Sequence, residues 1–365
     1  MRALAAKTDW VLVGSALLLS GIGIAMIYSC CNTRHESLYL LQLAWLGIGL
    51  IVAVALCAFD YIRLQPLAPT LYGIVLALLA LVLFAGTQIR GAQRWLPLGP
   101  FHLQPAEFAK VAVVLAAAAF IAGRSEEGMT ARVTVASFAL MLPAMVLVLL
   151  QPDLGTPVVM VGAWLILAFV AGARLAHLAA VVSILGLCFL GAWKADIIKP
   201  HQKARLLAFA NPEAERHGAA WQVRQGLVAI GAGHLLGQGF MRGTQTQLAF
   251  IPDQHSDFIF TAIGEELGFV GAVTVLGLLA LFVHRGFAIA ASARELFGRL
   301  LAAGLLGIIA THTVINVGMT LGLMPVKGMP LPFVSYGGSH MLACMMIVGL
   351  LNNIHVRQRR IDFDL

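Results

Sequence analysis

The segment IPDQHSDFIF, residues 251–260, places two carboxylates and an imidazole directly before a run of apolar residues. Asp257 is the last of these polar residues, and a carboxylate in such a position can take a proton from an attacking hydroxyl group. It could instead cap the helix that the apolar run predicts. His255 and Asp253 precede it at a spacing that does not define a metal site. The segment therefore offers Asp257 as a candidate general base.

Two further carboxylates, Glu265 and Glu266, follow Asp257 along the same predicted helix. At about 100° per residue, Glu265 lies roughly 80° around the helix from Asp257, whereas Glu266 points to nearly the opposite side. We therefore predict that Glu265, rather than Glu266, lines a cavity shared with Asp257.

The segment HLQPAEFAK opens another apolar run and carries a second pair of charges. Pro105 suits the first helical position, and Glu107 stands in the positively polarised first turn. Glu107 and Lys110 share a helix face, and an ammonium inside a membrane is costly unless it is paired or faces water. We predict a pair beside a cavity, although Glu107 could merely complement the helix terminus.

Other polar residues stand in irregular segments between apolar runs. Arg94 lies in QIRGAQRWL, and Asp153 in QPDLGTP is suited to cap the following helix. The segment MPVKGMPLPFVSYGGS places Ser335 and Tyr336 where a regular helix would start. Irregular backbone at membrane depth persists only where protein or water satisfies it, which predicts a cavity wall here, with a simple kink as the alternative. We predict that Ser335 and Tyr336 bind the substrate at this wall.

Composition identifies the environment that must position these residues. The chain is 60% hydrophobic and only 11% charged over 365 residues, and its mean hydropathy is +0.88. Such a chain has too little polar surface to cover a soluble globule. Its apolar runs are about 20 residues long, as membrane-spanning helices require. We predict an all-α integral membrane protein, one domain over residues 1–365, with ten transmembrane helices at 10–29, 38–59, 68–86, 104–123, 132–150, 154–171, 175–193, 258–283, 300–322 and 335–354.

The distribution of basic residues predicts the orientation. An even number of spans leaves both termini on one side, and lysine and arginine near span ends favour the cytoplasm. One face carries Arg2, Lys7, Arg63, Arg124, Arg132, Arg174, Arg285, Arg294, Arg299, Arg357, Arg359 and Arg360, whereas the short loops opposite carry only Arg34, Arg90, Arg94 and Lys327. We predict that both termini are cytoplasmic. The net charge of +7 then matches anionic lipid headgroups, and no nucleic-acid partner is expected.

The longest connection, residues 194–257, would face outward between the seventh and eighth spans. Long loops that are not disordered are usually functional. The stretch WQVRQGLVAIGAGHLLGQG predicts a short interfacial helix followed by a glycine-rich turn. Basic residues outnumber acidic ones in this loop, and we predict that some of them, Arg205 among them, bind an anionic ligand.

Taken in order, several motifs resemble the SEDS family (shape, elongation, division and sporulation). They are GAQRWL, HLQPAEFAK, QPDLGT, GTQTQLAFIPDQHSDFIF, GEELG and PLPFVSYGGS, and they extend over nearly the whole chain. The segments GTQTQL and PVKGMPLPFVSYGGS are more similar to the elongation members than to the division members. His102, Leu103 and Ala106 in the HLQPAEFAK motif depart from the family pattern, whereas Glu107 and Lys110 are intact. His340, directly after SYGGS, is also unusual.

The resemblance implies a peptidoglycan glycosyltransferase that polymerises lipid II on the outer face of the membrane during cell elongation, and thereby maintains rod shape. It implies that Asp257 is essential and that Glu107 and Lys110 lie near the same cavity. Implied partners are a class B penicillin-binding protein, which crosslinks the strands, and other elongation-complex proteins. No organic cofactor is expected. A divalent cation of undetermined identity could stabilise the leaving pyrophosphate, as could Arg94, Lys110 or the basic loop residues.

Two other functions are compatible with the same residues. A flippase for the lipid-linked precursor would also place charges within the membrane, although the sequence lacks the inverted halves with interrupted helices that many transporters have. A catalytically silent scaffold would tolerate replacement of Asp257.

Overall fold

The computed structural model describes residues 7–32, 37–89, 92–98, 101–196, 203, 206–207, 209 and 218–358, and these residues are almost entirely helical. The helices are α1 (Trp10–Asn32), α2 (Leu38–Ala58), α3 (Leu64–Ala85), α4 (Pro105–Ala122), α5 (Ala131–Ala139), α6 (Leu142–Leu150), α7 (Gly155–Val170), α8 (Leu175–Lys194), α9 (Ala219–Ala232), α10 (Thr244–Gln247), α11 (Ile259–Glu266), α12 (Gly268–Ser292), α13 (Leu296–Thr320) and α14 (Gly338–Gln358). Short 3₁₀ turns stand at Tyr61–Arg63 and Ser125–Glu127.

Within these residues, nine helical segments are long and apolar enough to cross a membrane, with α5 and α6 counted as one segment. The predicted sixth span, 154–171, corresponds to α7, an apolar helix of 16 residues that is shorter than a typical span. The helical membrane architecture is as predicted, whereas the number of ten spans stays a prediction.

Two predicted spans differ from the structure because a local residue interrupts the helix. The span predicted at 258–283 is broken between α11 and α12, where Gly268 has a φ of +67°. A Cβ atom at Gly268 would lie 2.2 Å from the amide nitrogen of Gly237, so the break accommodates a close approach of the preceding loop. The span predicted at 132–150 is divided into α5 and α6. Pro143, in the first turn of α6, has no N–H to continue the hydrogen bonding of α5.

A small antiparallel sheet lies between α3 and α4 and amends the all-α prediction. Its strands are β1 (Thr87–Ile89), β2 (Ala92–Leu98) and β3 (Phe101–Leu103), in the order β1-β2-β3. The side chain of Gln93 donates to the carbonyl of Gly86 at 2.9 Å and fixes the start of the sheet. The amide of Gln104 then donates to Ser339 Oγ at 2.9 Å, which ties the sheet to the start of α14.

Four connecting segments gather at one end of the bundle, here called the loop end: the described residues of 86–104, 151–154, 218–258, which include α9 and α10, and 321–337. Hydrogen bonds join these segments, for example from the amide of Tyr336 to the carbonyl of His255 at 3.0 Å. Contacts between Asp9 and Arg285 lie at the opposite end, where the guanidinium and carboxylate are 2.6 Å apart.

Among the nine spanning segments, α4, α13 and α14 are the most deeply buried. Glycines on α13 allow close packing, since a Cβ atom at Gly304 would lie 2.5 Å from the Val114 side chain and one at Gly307 would lie 2.7 Å from Ala163 Cα. These three central helices carry the buried polar residues of the candidate site.

Candidate active site at the loop end

Asp257 lies at the junction between the long loop and α11 and is partly exposed. Its amide donates to the carbonyl of Asp253 at 3.1 Å, which closes a turn before the helix. The N-cap residue of α11 is Phe258, not Asp257. Gly328 passes directly beside the carboxylate, because a Cβ atom built on it would lie 3.0 Å from Asp257 Oδ2. The carboxylate of Asp257 therefore lies against the backbone of the 321–337 segment.

Several hydrogen bonds hold the main chain around Asp257. The side-chain amide of Asn316 donates to the carbonyl of Asp257 at 2.9 Å and to that of Met329 at 2.6 Å. Asn316 is fully buried on α13. Because one amide binds both loops, the position of Asp257 is coupled to that of the 321–337 segment.

Backbone strain marks the same two loops. Asp253 has a φ of +53° and Phe333 a φ of +65°, in the left-handed region that side chains disfavour by about 1–2 kcal/mol. Phe333 is fully buried, so packing maintains its conformation. Strained residues of this kind persist where the surrounding structure holds them, often near functional sites.

Ser335 and Tyr336, both predicted to bind substrate, have different environments. The Ser335 side chain is 1% exposed; its hydroxyl donates to the carbonyl of Ser256 at 2.5 Å and accepts from the amide of Leu331 at 2.8 Å. It joins the two loops and is not presented to a ligand, contrary to the prediction. Tyr336 is partly buried, and its ring meets that of His255 edge-on with centroids 5.6 Å apart. Tyr336 is thus the more exposed of the two residues.

Glu107 and Lys110 form a buried ion pair with Nζ and Oε2 2.8 Å apart. Two histidines complete the cluster. His312 Nε2 lies 2.7 Å from Lys110 Nζ, and His340 Nδ1 lies 2.8 Å from Glu107 Oε2. The buried cluster of Glu107, Lys110, His312 and His340 thus combines residues of α4, α13 and α14.

The hydrogen-bond partners define the imidazole tautomer of His312. An ammonium only donates, so His312 Nε2 must accept from Lys110. Its proton is then on Nδ1, which lies 3.2 Å from the carbonyl of Pro330. A small cavity beside the cluster has room for about one water molecule.

Glu107, His312 and His340 offer three ligand atoms within 4.8 Å of one another, a spacing that could suit a metal ion. The Lys110 ammonium, however, lies 2.8 Å from the Glu107 carboxylate and 2.7 Å from the His312 imidazole. It takes the position that a divalent cation would need. These residues therefore do not fit a metal while Lys110 stays in place.

Helix α13 connects this cluster to Asp257. His312 and Asn316 are four residues apart and share a helix face. They bind successive carbonyls of the same segment, Pro330 and Met329, and Asn316 also binds Asp257. The two predicted groups of polar residues, Asp257 and the Glu107–Lys110 pair, are thus joined through one helix.

Glu265 has a structural environment rather than the cavity predicted beside Asp257. Its oxygens accept from the amides of Gln245 and Thr246 at 2.7 and 2.9 Å, and from the Thr246 hydroxyl at 2.7 Å. The carboxylate thereby anchors α10 of the long loop. Glu266 accepts from the hydroxyl of Ser29 at 2.7 Å and from the amide of Met241 at 3.1 Å, and so anchors the same loop to α1.

The cationic residues that could bind an anionic substrate have different environments. Arg94 donates to the carbonyls of Gln151, at 3.0 Å, and Pro152, so its guanidinium holds the turn before α7. The predicted cap is confirmed in that turn, since Asp153 accepts from the amide of Gly155 at 2.9 Å. Arg205 lies outside the described residues. Lys327 directly precedes Gly328, and burial lowers the pKa of its ammonium.

His312, Asn316 and the role of His340 were missed by sequence reasoning. A signal was present, because His312 and Asn316 interrupt an apolar helix at helical spacing, and polar side chains inside a membrane are costly unless they are satisfied. His340, which departs from the family pattern, donates a hydrogen bond from Nδ1 to the Glu107 carboxylate.

Comparison with known proteins identifies the family. The FtsW/RodA/SpoVE model, described as a cell cycle protein, matches residues 9–360. Peptidoglycan glycosyltransferase RodA of Treponema pallidum (strain Nichols) is 33% identical over 425 aligned positions, covering 96% of this chain and 98% of the relative. A probable peptidoglycan glycosyltransferase FtsW of Trichlorobacter lovleyi is 36% identical, covering 96% and 93%.

A solved structure concerned with polymerization and crosslinking by a peptidoglycan synthase complex superimposes with a TM-score of 0.82 at 34% identity, covering 97% of this chain and 99% of that one. The structural likeness thus extends over the whole described bundle. The chain belongs to the FtsW/RodA/SpoVE family of multi-pass membrane proteins, the SEDS family that its motifs resemble.

Proposed function

We propose that this chain is a peptidoglycan glycosyltransferase that polymerises lipid II into glycan strands, with Asp257 as the general base. One observation carries the assignment of the base. Asp257 is a partly exposed residue at the loop end, while its main chain is held by Asn316. A base must be held in a defined geometry and yet be reachable by the substrate. The names of the matched relatives support the reaction class.

In the proposed reaction, a sugar hydroxyl of one lipid-linked molecule attacks the anomeric carbon of another. The new glycosidic bond forms as the bond between the anomeric carbon and the pyrophosphate breaks. The electron pair of the broken bond leaves with the pyrophosphate. Asp257 accepts the proton of the attacking hydroxyl. The pyrophosphate is already ionised, so the leaving group needs charge stabilisation more than protonation.

Cations near Asp257 would provide that stabilisation. Arg94 and Lys110 are engaged by the protein, the former with the turn before α7 and the latter in the buried cluster. Lys327 is better placed by the main chain, since its neighbour Gly328 lies against the carboxylate. Arg205 and other basic residues of the long loop remain part of the proposal as contacts for the anionic substrate.

The loop end would face outward from the bacterial inner membrane. The excess of lysine and arginine at the opposite rim supports this orientation. The structural likeness to a synthase complex supports pairing with a class B penicillin-binding protein that crosslinks the product. A role in elongation and rod shape, with other elongation-complex proteins, rests on the likeness of the GTQTQL and PVKGMPLPFVSYGGS segments to elongation members.

The flippase alternative gains no support from the buried charges. Glu107 and Lys110 bind each other and two histidines, and the adjoining cavity has room for about one water. A disaccharide headgroup would need a far wider polar passage.

Polymerisation of purified lipid II in detergent, with the crosslinking partner present, tests the proposal. We expect the parent chain to produce a ladder of glycan strands and Asp257→Asn and Asp257→Ala to produce none while keeping the parent's melting temperature. Asp253→Asn serves as a matched control in the same loop, because asparagine tolerates the positive φ at that position. If both Asp257 variants still produce a ladder of glycan strands, Asp257 is not the general base. If the parent chain makes no polymer but moves the lipid-linked precursor across vesicle membranes, a flippase is favoured instead.

A further inference from the structure

We infer that His312 is a positioning residue: it holds the Lys110 ammonium against Glu107 and fixes, through the carbonyl of Pro330, the segment that lies against Asp257. The inference deepens the proposed glycosyltransferase function and rests on it. His312 would not touch the substrate, because its side chain is buried and both ring nitrogens are engaged within the protein.

The imidazole of His312 is held at both ring nitrogens. Nε2 lies 2.7 Å from Lys110 Nζ, and Nδ1 lies 3.2 Å from the carbonyl oxygen of Pro330. One nitrogen accepts and the other donates, which only the neutral ring can do. A protonated ring would direct an N–H group at an ammonium, and both groups would then be donors. The ring therefore acts as a neutral bridge between α4 and the 321–337 segment.

Three successive residues of that segment show where the bridge leads. Gly328 lies against the Asp257 carboxylate, Met329 accepts from Asn316, and Pro330 faces His312. The proline ring restricts the backbone at the last of these positions. If Pro330 were displaced, Met329 and Gly328 would shift with it, and Gly328 is the residue whose backbone lies beside Asp257.

The charges of the buried cluster also depend on His312. The ammonium of Lys110 is shared between the carboxylate of Glu107 and the imidazole of His312, and the carboxylate also accepts from His340. Buried charges are tolerated only when such partners satisfy them. Without His312, Lys110 loses an acceptor, and the adjoining cavity has room for only about one water molecule in its place. The ion pair would then rearrange, and the segment at Pro330 would lose a donor.

Two substitutions separate positioning from simple packing. His312→Leu fills the space but neither accepts nor donates. His312→Gln supplies an amide oxygen for Lys110 and an N–H group for Pro330, so it can reproduce both hydrogen bonds. His284→Leu, on α12 and outside the cluster, is the matched histidine control. The polymerisation rate is measured over a range of lipid II concentrations, together with amide exchange in residues 328–336.

We expect His312→Leu to lower kcat by about 10–100-fold with a much smaller change in KM, because misplacement of a reacting group chiefly affects the chemical step. Amide exchange in residues 328–336 should rise in this variant. His312→Gln should recover most of the rate and the protection, and His284→Leu should match the parent. If His312→Leu does not fold, His312→Asn, which is too short to make both hydrogen bonds, should fold and show the same losses to a smaller extent.

A folded His312→Leu protein, or His312→Asn in its place, that polymerises at the parent rate with unchanged exchange overturns the inference. Equal losses in His312→Gln and His312→Leu also overturn it, since the hydrogen bonds would then be irrelevant. Failure of the parent chain itself to make polymer would instead count against the proposed function. The exchange measurement distinguishes the two failures, because it reports the coupling of His312 to the loop without any reaction.

Discussion

The side-chain amide of Asn316 binds two main-chain carbonyls at once, that of Asp257 at 2.9 Å and that of Met329 at 2.6 Å. These carbonyls belong to loops that are far apart in sequence. This buried side chain therefore ties the candidate base to the segment beside it, in addition to the hydrogen bonds that Ser335 makes between the same loops.

Replacement of Asn316 should loosen this junction. Asn316→Leu has nearly the same volume but no donor, and a buried carbonyl left without a partner costs about 1–3 kcal/mol. We expect a lower melting temperature in detergent and slower polymerisation of lipid II. Thr313→Val, on the same helix, is the control, since the Thr313 hydroxyl donates only within its own helix, to Ile309. An unchanged melting temperature and rate for Asn316→Leu would show that the junction is held by other contacts.

Gly328 and Gly322 allow a matched test of the approach to Asp257. Both have positive φ, +63° and +71°, so alanine at either position should cost about 1–2 kcal/mol of stability. Only at Gly328 would the new Cβ meet the Asp257 carboxylate, at 3.0 Å, whereas at Gly322 the nearest atom is in Val223, at 3.3 Å. We expect similar melting temperatures but a loss of polymerisation in Gly328→Ala alone. Equal activity in the two variants would contradict the placement of the carboxylate.

The Glu107–Lys110 pair should show strong energetic coupling. Lys110→Met leaves a buried carboxylate without its cation, which costs about 3–5 kcal/mol, whereas Glu107→Gln with Lys110→Met removes both charges. We expect the double variant to lose less stability than the sum of the single losses, by about 1–3 kcal/mol. Thermal unfolding of the four proteins in detergent measures this difference.

The pair Arg124 and Glu127 provides a control with the same spacing along the chain. Their side chains are 43% and 54% exposed and their charged atoms are 3.8 Å apart. Water and salt screen such a pair, so its coupling should stay below about 1 kcal/mol. If the coupling energy of Glu107 and Lys110 is no larger than that of this control, the two buried residues do not act as a unit.

The pair of Asp9 and Arg285 predicts a pH dependence. Burial alone raises the pKa of Asp9, but the hydrogen bond and charge of Arg285 outweigh it and hold that pKa below its usual range. A folded-state pKa below the unfolded value of about 3.9 means stabilisation that is complete above about pH 4. It is lost as the pH falls through the folded-state pKa.

Arg285→Met should therefore lower the free energy of unfolding at pH 7, by about 1–3 kcal/mol for the lost charged hydrogen bonds. The gap between parent and variant should narrow as the pH falls below 4. Thermal unfolding at a series of pH values provides the measurement. A gap that widens in acid would have the wrong sign for this carboxylate.

Features that depend on neighbouring residues could be predicted from the sequence. The spanning helices follow from local hydropathy, and the cap formed by Asp153 depends on residues two and three positions away. Glu107 and Lys110 could be paired because three residues along a helix bring side chains to one face. Asp257 stood out because it is a carboxylate at the edge of an apolar run.

Features that depend on which helices pack together could not be predicted from the sequence. His312 lies 202 residues from Lys110 along the chain, and His340 lies 233 from Glu107. The anchoring role of Glu265 depends on the fold of the preceding loop onto α11. Helical periodicity gives the direction of a side chain around its own axis, but not the partner it meets.

Hydropathy and charge placement along the chain are enough to predict a helical membrane protein with charged residues at the entrances to its apolar segments, because the cost of polar groups in lipid acts on each segment separately. Which polar groups share a site depends instead on how the helices pack. Three helices must come together before Lys110 meets His312 and His340 meets Glu107, and α13 must lie beside both loops before Asn316 can hold Asp257.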